Sequence, residues 1–158
     1  MTPAVDRTRM ARLVQDENVL LRDFVALLGQ EQALLLEGDV DALMALAGQK
    51  TQLFRRLQFT ADERTRVLAA ARLKPDAAVM QAILEGNAAA LANWQESLEL
   101  VAEARSRNNL NGQLITQRMQ HNQQALAVLL AAAEQPAATY GPDGQSRPHL
   151  AGRHFGSA

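Results

Sequence analysis

Two aspartates one residue apart, Asp39 and Asp41, are the first side chains in this sequence that could do acid–base work or hold a cation. They follow Gly38, where one helix is expected to end and another to begin, so capping explains them more simply. Asp39 reads as the cap and Asp41 as a carboxylate near the positive end of the next helix. Asp16-Glu17 and Asp62-Glu63 are immediate neighbours; on a helix they point to different sides and do not share a proton. His121 has no companion at helical spacing and reads as part of a solvated face. His149 and His154 lack a third ligand, so no metal site is assigned. No glycine-rich loop follows a predicted strand, which leaves nothing to cradle a phosphate. Cysteine is absent, which removes disulfides, thiolate ligands and cysteine nucleophiles together and fits a reducing compartment. No catalytic residue, no cofactor and no enzyme activity are expected.

What remains is the chemistry of association. Leu114, Ile115, Met119, Leu126, Leu129 and Leu130 recur at spacings of three and four, which places them along one side of a helix. Asn108, Asn111 and Gly112 form a polar, glycine-containing patch just before them. Gly112 in a helix interior costs about 1 kcal/mol relative to Ala, so close approach of another backbone, or a bend, is expected there. One charged residue, Lys50, stands inside an apolar stripe, with Glu31 in the stripe of the preceding helix. Lys50 is expected to lay its stem on the core and send its ammonium to water; the alternative is an interhelical ion pair that fixes register. Trp94 reads as a core anchor.

The elements that must position these residues are helical. Aromatics make up 4% of the chain and β-branched residues are scarce, while Ala, Leu, Gln, Glu and Arg dominate, a composition that favours helix over strand. A first helix is expected over about 5–37, where Leu13, Leu20, Leu27 and Leu34, and Val14, Leu21, Leu28 and Leu35, recur every seven residues. Gly38 ends it and Asp39 opens the next, predicting an antiparallel hairpin. The second helix, over 39–58, carries Leu43, Leu46, Leu53 and Leu57. Thr60-Ala61-Asp62-Glu63 matches a capping box, so a break near Phe59 and a separate helix over 60–72 are expected. Pro75 and Asp76 mark the next boundary.

From Ala77 to Glu134 there is no proline, and Leu91, Trp94, Leu98, Val101, Arg105, Asn108, Gly112, Ile115, Met119, Asn122, Leu126 and Leu129 step by three and four throughout. The expectation is a long C-terminal helix over 76–134, either unbroken or two helices joined near Gly112. Unbroken, it would be roughly 85 Å long, against about 50 Å for the first helix. The remainder must project, fold back or find another partner. The fold expected is therefore all-α: an antiparallel hairpin packed with a long C-terminal helix, an elongated bundle over residues 1–135. A flexible tail follows over 136–158, because Pro136, Gly141, Pro142, Gly144, Pro148, Gly152 and Gly156 oppose regular structure.

Net charge is −1, which argues against a nucleic-acid partner. Arg7, Arg9 and Arg12 imitate the start of a signal peptide, but Gln15, Asp16, Glu17 and Asn18 stand where its apolar region should be. The longest uncharged apolar run, Ala125 to Ala133, is nine residues and too short to span a bilayer. A cytoplasmic address without membrane insertion is expected.

Three motifs carry a resemblance. Asn108, Asn111, Gly112, Leu114 and Ile115 form N-x-x-N-G-x-L-I; Asn122 to Leu129 reads N-Q-Q-A-L-x-V-L; and Tyr140-Gly141-x-x-Gly144-Gln145 follows. In these the chain resembles the FlgN family of flagellar export chaperones. The chain is longer than the family pattern between Lys50 and Trp94, and Leu150–Ala158 has no counterpart. The resemblance implies a small helical chaperone of the flagellar type III export system. Its partners would be the C-terminal segments of the two hook–filament junction proteins and the cytoplasmic domain of the export gate. Client contact would fall on Leu114, Ile115, Met119, Leu126, Leu129 and Leu130, with Asn108, Asn111 and Gly112 as a register-setting polar end. Tyr140 would be the docking handle for the gate. The rival class is a self-associating coiled-coil adaptor without a secreted client, which would bury the same stripe between two copies.

Overall fold

The computed structural model describes residues 4–134 and the backbone of the pairs 139–140 and 146–147. Met1–Leu114 and Ile115–Ala158 form two compact units.

The first unit begins with an antiparallel hairpin. Helix α1 spans Arg7–Glu37 and α2 spans Val40–Ala70. The Asp6 carboxylate accepts the Arg9 N–H at 2.9 Å, so the helix starts just after it rather than at Val5. Gly38 takes the left-handed conformation (φ 78°) and donates to the Leu34 carbonyl, closing α1. Asp39 then caps α2 through the Ala42 N–H at 3.0 Å, with Asp41 in the first turn. These residues act as their types predict, and the turn between the two helices is as short as Gly38-Asp39 allows.

The expected break near Phe59 is absent. Helix α2 runs straight through, and the Thr60 hydroxyl donates to the Arg56 carbonyl at 3.0 Å instead of capping a new helix. Glu63 pairs with Arg9 and Arg66 rather than reaching back to Thr60. The reason is packing. The half-buried Leu53 and Leu57, the buried Thr60 and the buried Val67 and Leu68 follow at helical spacing along α2, and an extended Thr60 would have broken that line. Helix α2 ends where Arg72 adopts φ 57°, and the Leu73 N–H returns to the Leu68 carbonyl at 2.9 Å.

The boundary at Pro75 is where the sequence puts it. Asp76 accepts the Ala78 N–H at 2.9 Å and caps α3, Ala77–Leu84. The long C-terminal helix is then interrupted at a place not expected. Gly86 takes φ 90°, Asn87 accepts the Ala90 N–H at 3.0 Å, and α4 spans Ala88–Glu134. Through Gly112 it stays one helix of 47 residues, roughly 70 Å long by its rise per residue. A Cβ added at Gly112 would meet nothing within 4 Å, so close packing among the described residues does not account for that glycine.

The main core lies where α3 packs on the hairpin: Met10, Val14, Val67, Leu68, Met80, Ile83, Leu84, Ala90 and Trp94. Trp94 is the anchor expected of it, with the Arg64 guanidinium 5.1 Å from its ring centroid and Arg64 in turn bonded to the buried Glu17 carboxylate. A smaller cluster of Phe24, Leu28 and Ala104 holds the middle of α1 against α4, with Leu53 and Leu57 of α2 packed on it.

The expected tail lies mostly outside the described residues. Within it Thr139–Tyr140 (β1) pairs antiparallel with Ser146–Arg147 (β2), Tyr140 opposite Ser146.

Candidate partner-binding surface

Apart from Trp94, the residues that α4 buries in the first unit are small or polar. Ala90, Ser97, Ala104 and Asn111 are buried at intervals of seven, with Trp94 beside them. This line was not evident from hydrophobicity, because Ser97 and Asn111 are polar and the alanines are small. The larger residues of the expected stripe are only partly covered: Leu98 is 46% exposed.

Side-chain hydrogen bonds hold this line in place. Asn18 Nδ2 donates to the Asn93 carbonyl and to Ser97 Oγ, each at 3.2 Å. Arg22 grips Glu96 with two bonds of 2.6 Å. At the far end, Lys50 Nζ donates to both Glu31 oxygens (3.0 and 3.1 Å) and to Asn108 Oδ1 at 2.8 Å. Asn111, 1% exposed, donates from Nδ2 to the Leu28 carbonyl and to Glu31 Oε1, both at 2.9 Å. Lys50 and Glu31 thus form the ion pair rather than the solvated arrangement expected. Burial of Glu31 explains it: a carboxylate taken out of water needs a cation and donors around it. The structure places Asn108 and Asn111 in this network, where they bind the hairpin of their own chain.

Several of the carboxylates named as candidates for chemistry have structural partners. Glu17 is held by Arg64, Asp62 accepts from Gln58, and Asp39 caps a helix. Among the described residues no three of His, Cys, Asp and Glu come together to hold a metal. A groove of about 640 Å³ in the first unit is lined by Leu21, Phe24, Phe54, Leu57 and Val101 together with Glu17, Lys50 and Arg105.

From Ile115 to Glu134 every side chain of α4 is exposed. Ile115 is 43% exposed, Met119 58%, Leu126 56%, Leu129 67% and Leu130 54%, with Val128 beside them. Leu114, the last residue of the first unit, is half-buried, and Gly112 is exposed. Five of the six apolar residues assigned to binding therefore stand in water on one helix. Fully burying such a side chain stabilises by about 1.5–3 kcal/mol, and contiguous exposed aliphatic side chains of this kind make a candidate interaction surface. Tyr140 lies in β1; its side-chain surroundings fall outside the described residues. No helix among the described residues is long and apolar enough to cross a membrane.

Comparison with known proteins agrees with the motifs. The flagella synthesis protein FlgN of Yersinia enterocolitica is 34% identical over 140 residues, covering 87% of this chain and 89% of its own. The Escherichia coli protein of the same name is 28% identical over 149 residues, covering 92% and 96%. That of Salmonella typhimurium is 29% identical over 147 residues, covering 88% and 91%. No solved structure matches the chain. The family model described as FlgN protein matches residues 1–148, stopping just short of the segment Leu150–Ala158 that the motifs also leave unmatched. This chain belongs to the FlgN family.

Proposed function

We propose that this chain is a cytoplasmic chaperone that binds the C-terminal amphipathic segments of the two hook–filament junction proteins. It keeps them from assembling early and delivers them to the flagellar type III export gate. Family membership supports a flagellar export chaperone role. The observation that carries the client site is the run of large aliphatic side chains left in water between Ile115 and Leu130.

An amphipathic client helix laid on Leu114, Ile115, Met119, Leu126, Leu129 and Leu130 would complete a helical pair that the chaperone lacks. Burying six such side chains contributes on the order of 10 kcal/mol. Association and ordering costs cancel much of this, leaving a complex that can hand its client on. Asn108, Asn111 and Gly112 close the polar end of the site. Both Nδ2 hydrogens of Asn111 are committed inside the chain, so its effect on a client comes through the backbone it fixes. Tyr140 is the handle for the gate, where a single aromatic can act as an anchor.

The test is co-elution of the protein with C-terminal segments of junction proteins from the same organism, alongside Leu126→Asp plus Leu130→Asp. The complex is expected with the native chain and lost with the double variant, whose melting should be unchanged because both residues are exposed. Undiminished binding by the folded double variant would refute the site, and a tight self-dimer without any complex would favour the coiled-coil adaptor. Tyr140→Ala should keep client affinity and lose gate binding; the opposite pattern would remove Tyr140 from this role.

A further inference from the structure

One position in the exposed run is not apolar. Ile115, Met119, Asn122, Leu126 and Leu129 follow one another at steps of four, three, four and three, the core spacing of a two-helix coiled coil. All five side chains are exposed. Asn122 therefore sits in the centre of the seam, with two apolar positions on either side.

The positions flanking this seam are Thr116, Arg118, Gln123, Ala125, Leu130 and Ala132, of which Arg118 alone is charged. Helix pairs choose partner and register through flanking ion pairs and through polar residues in the seam. The first device is almost missing here: between Arg107 and Glu134 the sequence contains no Lys, Arg, Asp or Glu except Arg118. An all-aliphatic seam would accept a partner helix shifted by a whole heptad nearly as well as one in place. A buried amide does not, because leaving its donors and acceptor unpaired costs about tenfold or more in affinity.

We propose that Asn122 sets the register of the bound helix, and that the client is an amphipathic helix presenting an amide or hydroxyl side chain opposite Asn122. The inference rests on the client site proposed above and adds to it the residue that discriminates among apolar helices. Relative to leucine facing leucine, an Asn122 pair gives up some affinity for a single alignment; leucine facing the client's polar residue loses more.

The test is calorimetric titration of the native chain and of Asn122→Leu with the junction-protein C-terminal segments. Each polar residue on the apolar face of a segment is replaced in turn by leucine. Asn122→Leu should bind the native segment about tenfold more weakly. One segment substitution should likewise weaken binding to the native chaperone and restore binding to Asn122→Leu. That coupling at a single segment position is the signature of a facing pair. Melting of Asn122→Leu should match the native chain, since the residue is exposed.

Equal affinity of Asn122→Leu and the native chain for every segment would overturn the proposal. So would tighter binding with no coupled position. If Leu126→Asp plus Leu130→Asp still abolished binding, the client site would stand and the register role alone would fall. If the native chain bound neither segment, both would fall. Disulfide-linked dimers of Asn122→Cys at micromolar concentration, with no client complex, would assign the seam to a second copy of the chain instead.

Discussion

Helix α4 is one continuous element with two opposite surface rules. Up to Asn111 it buries one large anchor, Trp94, and a line of small or polar residues, Ala90, Ser97, Ala104 and Asn111, fixed by hydrogen bonds to Asn18, Leu28 and Glu31. From Ile115 it carries isoleucine, methionine and leucines, and leaves them in water. Hydrophobicity alone would have assigned the two halves the other way round. Small residues let helices approach closely and polar ones fix their register, so the packed half needs little apolar bulk. The exposed half keeps large side chains in water, and the proposed client site would bury them. In a helix that binds partners, the greasier half can be the one with no partner in its own chain.

The sharpest way to break this comparison is a matched pair of truncations. Leu28→Ala empties a fully buried site between α1 and α4 and should cost about 3 kcal/mol in denaturant unfolding. Leu129→Ala should change stability by under about 0.5 kcal/mol, because the residue is two-thirds exposed. It should weaken client binding about tenfold by titration. A large stability loss from Leu129→Ala would mean that the second half is packed within the chain.

The polar network gives the next effect. Asn111→Ala leaves the Leu28 carbonyl and one Glu31 oxygen without their donor and should cost about 2 kcal/mol of stability. Client affinity of the folded variant should fall by only a few-fold, because Asn111 acts on the client through the backbone it fixes rather than by contact. A variant of native stability that had lost its client would place Asn111 on the binding surface. Gly86→Ala forces an L-residue into φ 90° and should cost about 1.5 kcal/mol, again without effect on the client.

The smallest effect is electrostatic. Hydrogen bonding from Arg22 holds the Glu96 carboxyl below the ordinary carboxylate range, and the Arg22 charge adds to this. With the folded value depressed, the pair's contribution is present at neutral pH and lost as pH falls through that folded value. Stability should therefore dip slightly in acid, and Arg22→Ala should flatten the dip. The pair sits at the surface, so the change in melting temperature should be small.

Much of the hairpin was legible because its signals are local. Gly38 and Asp39 perform in the structure what their types dictate, and so do Pro75 and Asp76. The same grammar was present at Gly86-Asn87, where the glycine takes a positive φ and the asparagine caps α4, but the absence of proline from 77 to 134 concealed it. Thr60-x-x-Glu63 shows the reverse error: a local signal for a helix start was overridden by a buried face running through it. The Lys50–Glu31 pair could not be read from spacing, since it depends on how deeply Glu31 is buried and on Asn108 and Asn111 arriving from a third helix. The aliphatic run at the end of α4 was legible, while the packed line before it was not. Small residues leave no hydrophobic trace.

Hydrogen exchange of backbone amides, with and without a junction-protein C-terminal segment, tests the central claim most directly. Client binding should slow exchange between Ile115 and Leu130 and leave α1, α2 and α3 as they were. Protection gained along the groove lined by Phe54, Leu57 and Val101, with Ile115–Leu130 unchanged, would contradict the account and move the site into the bundle.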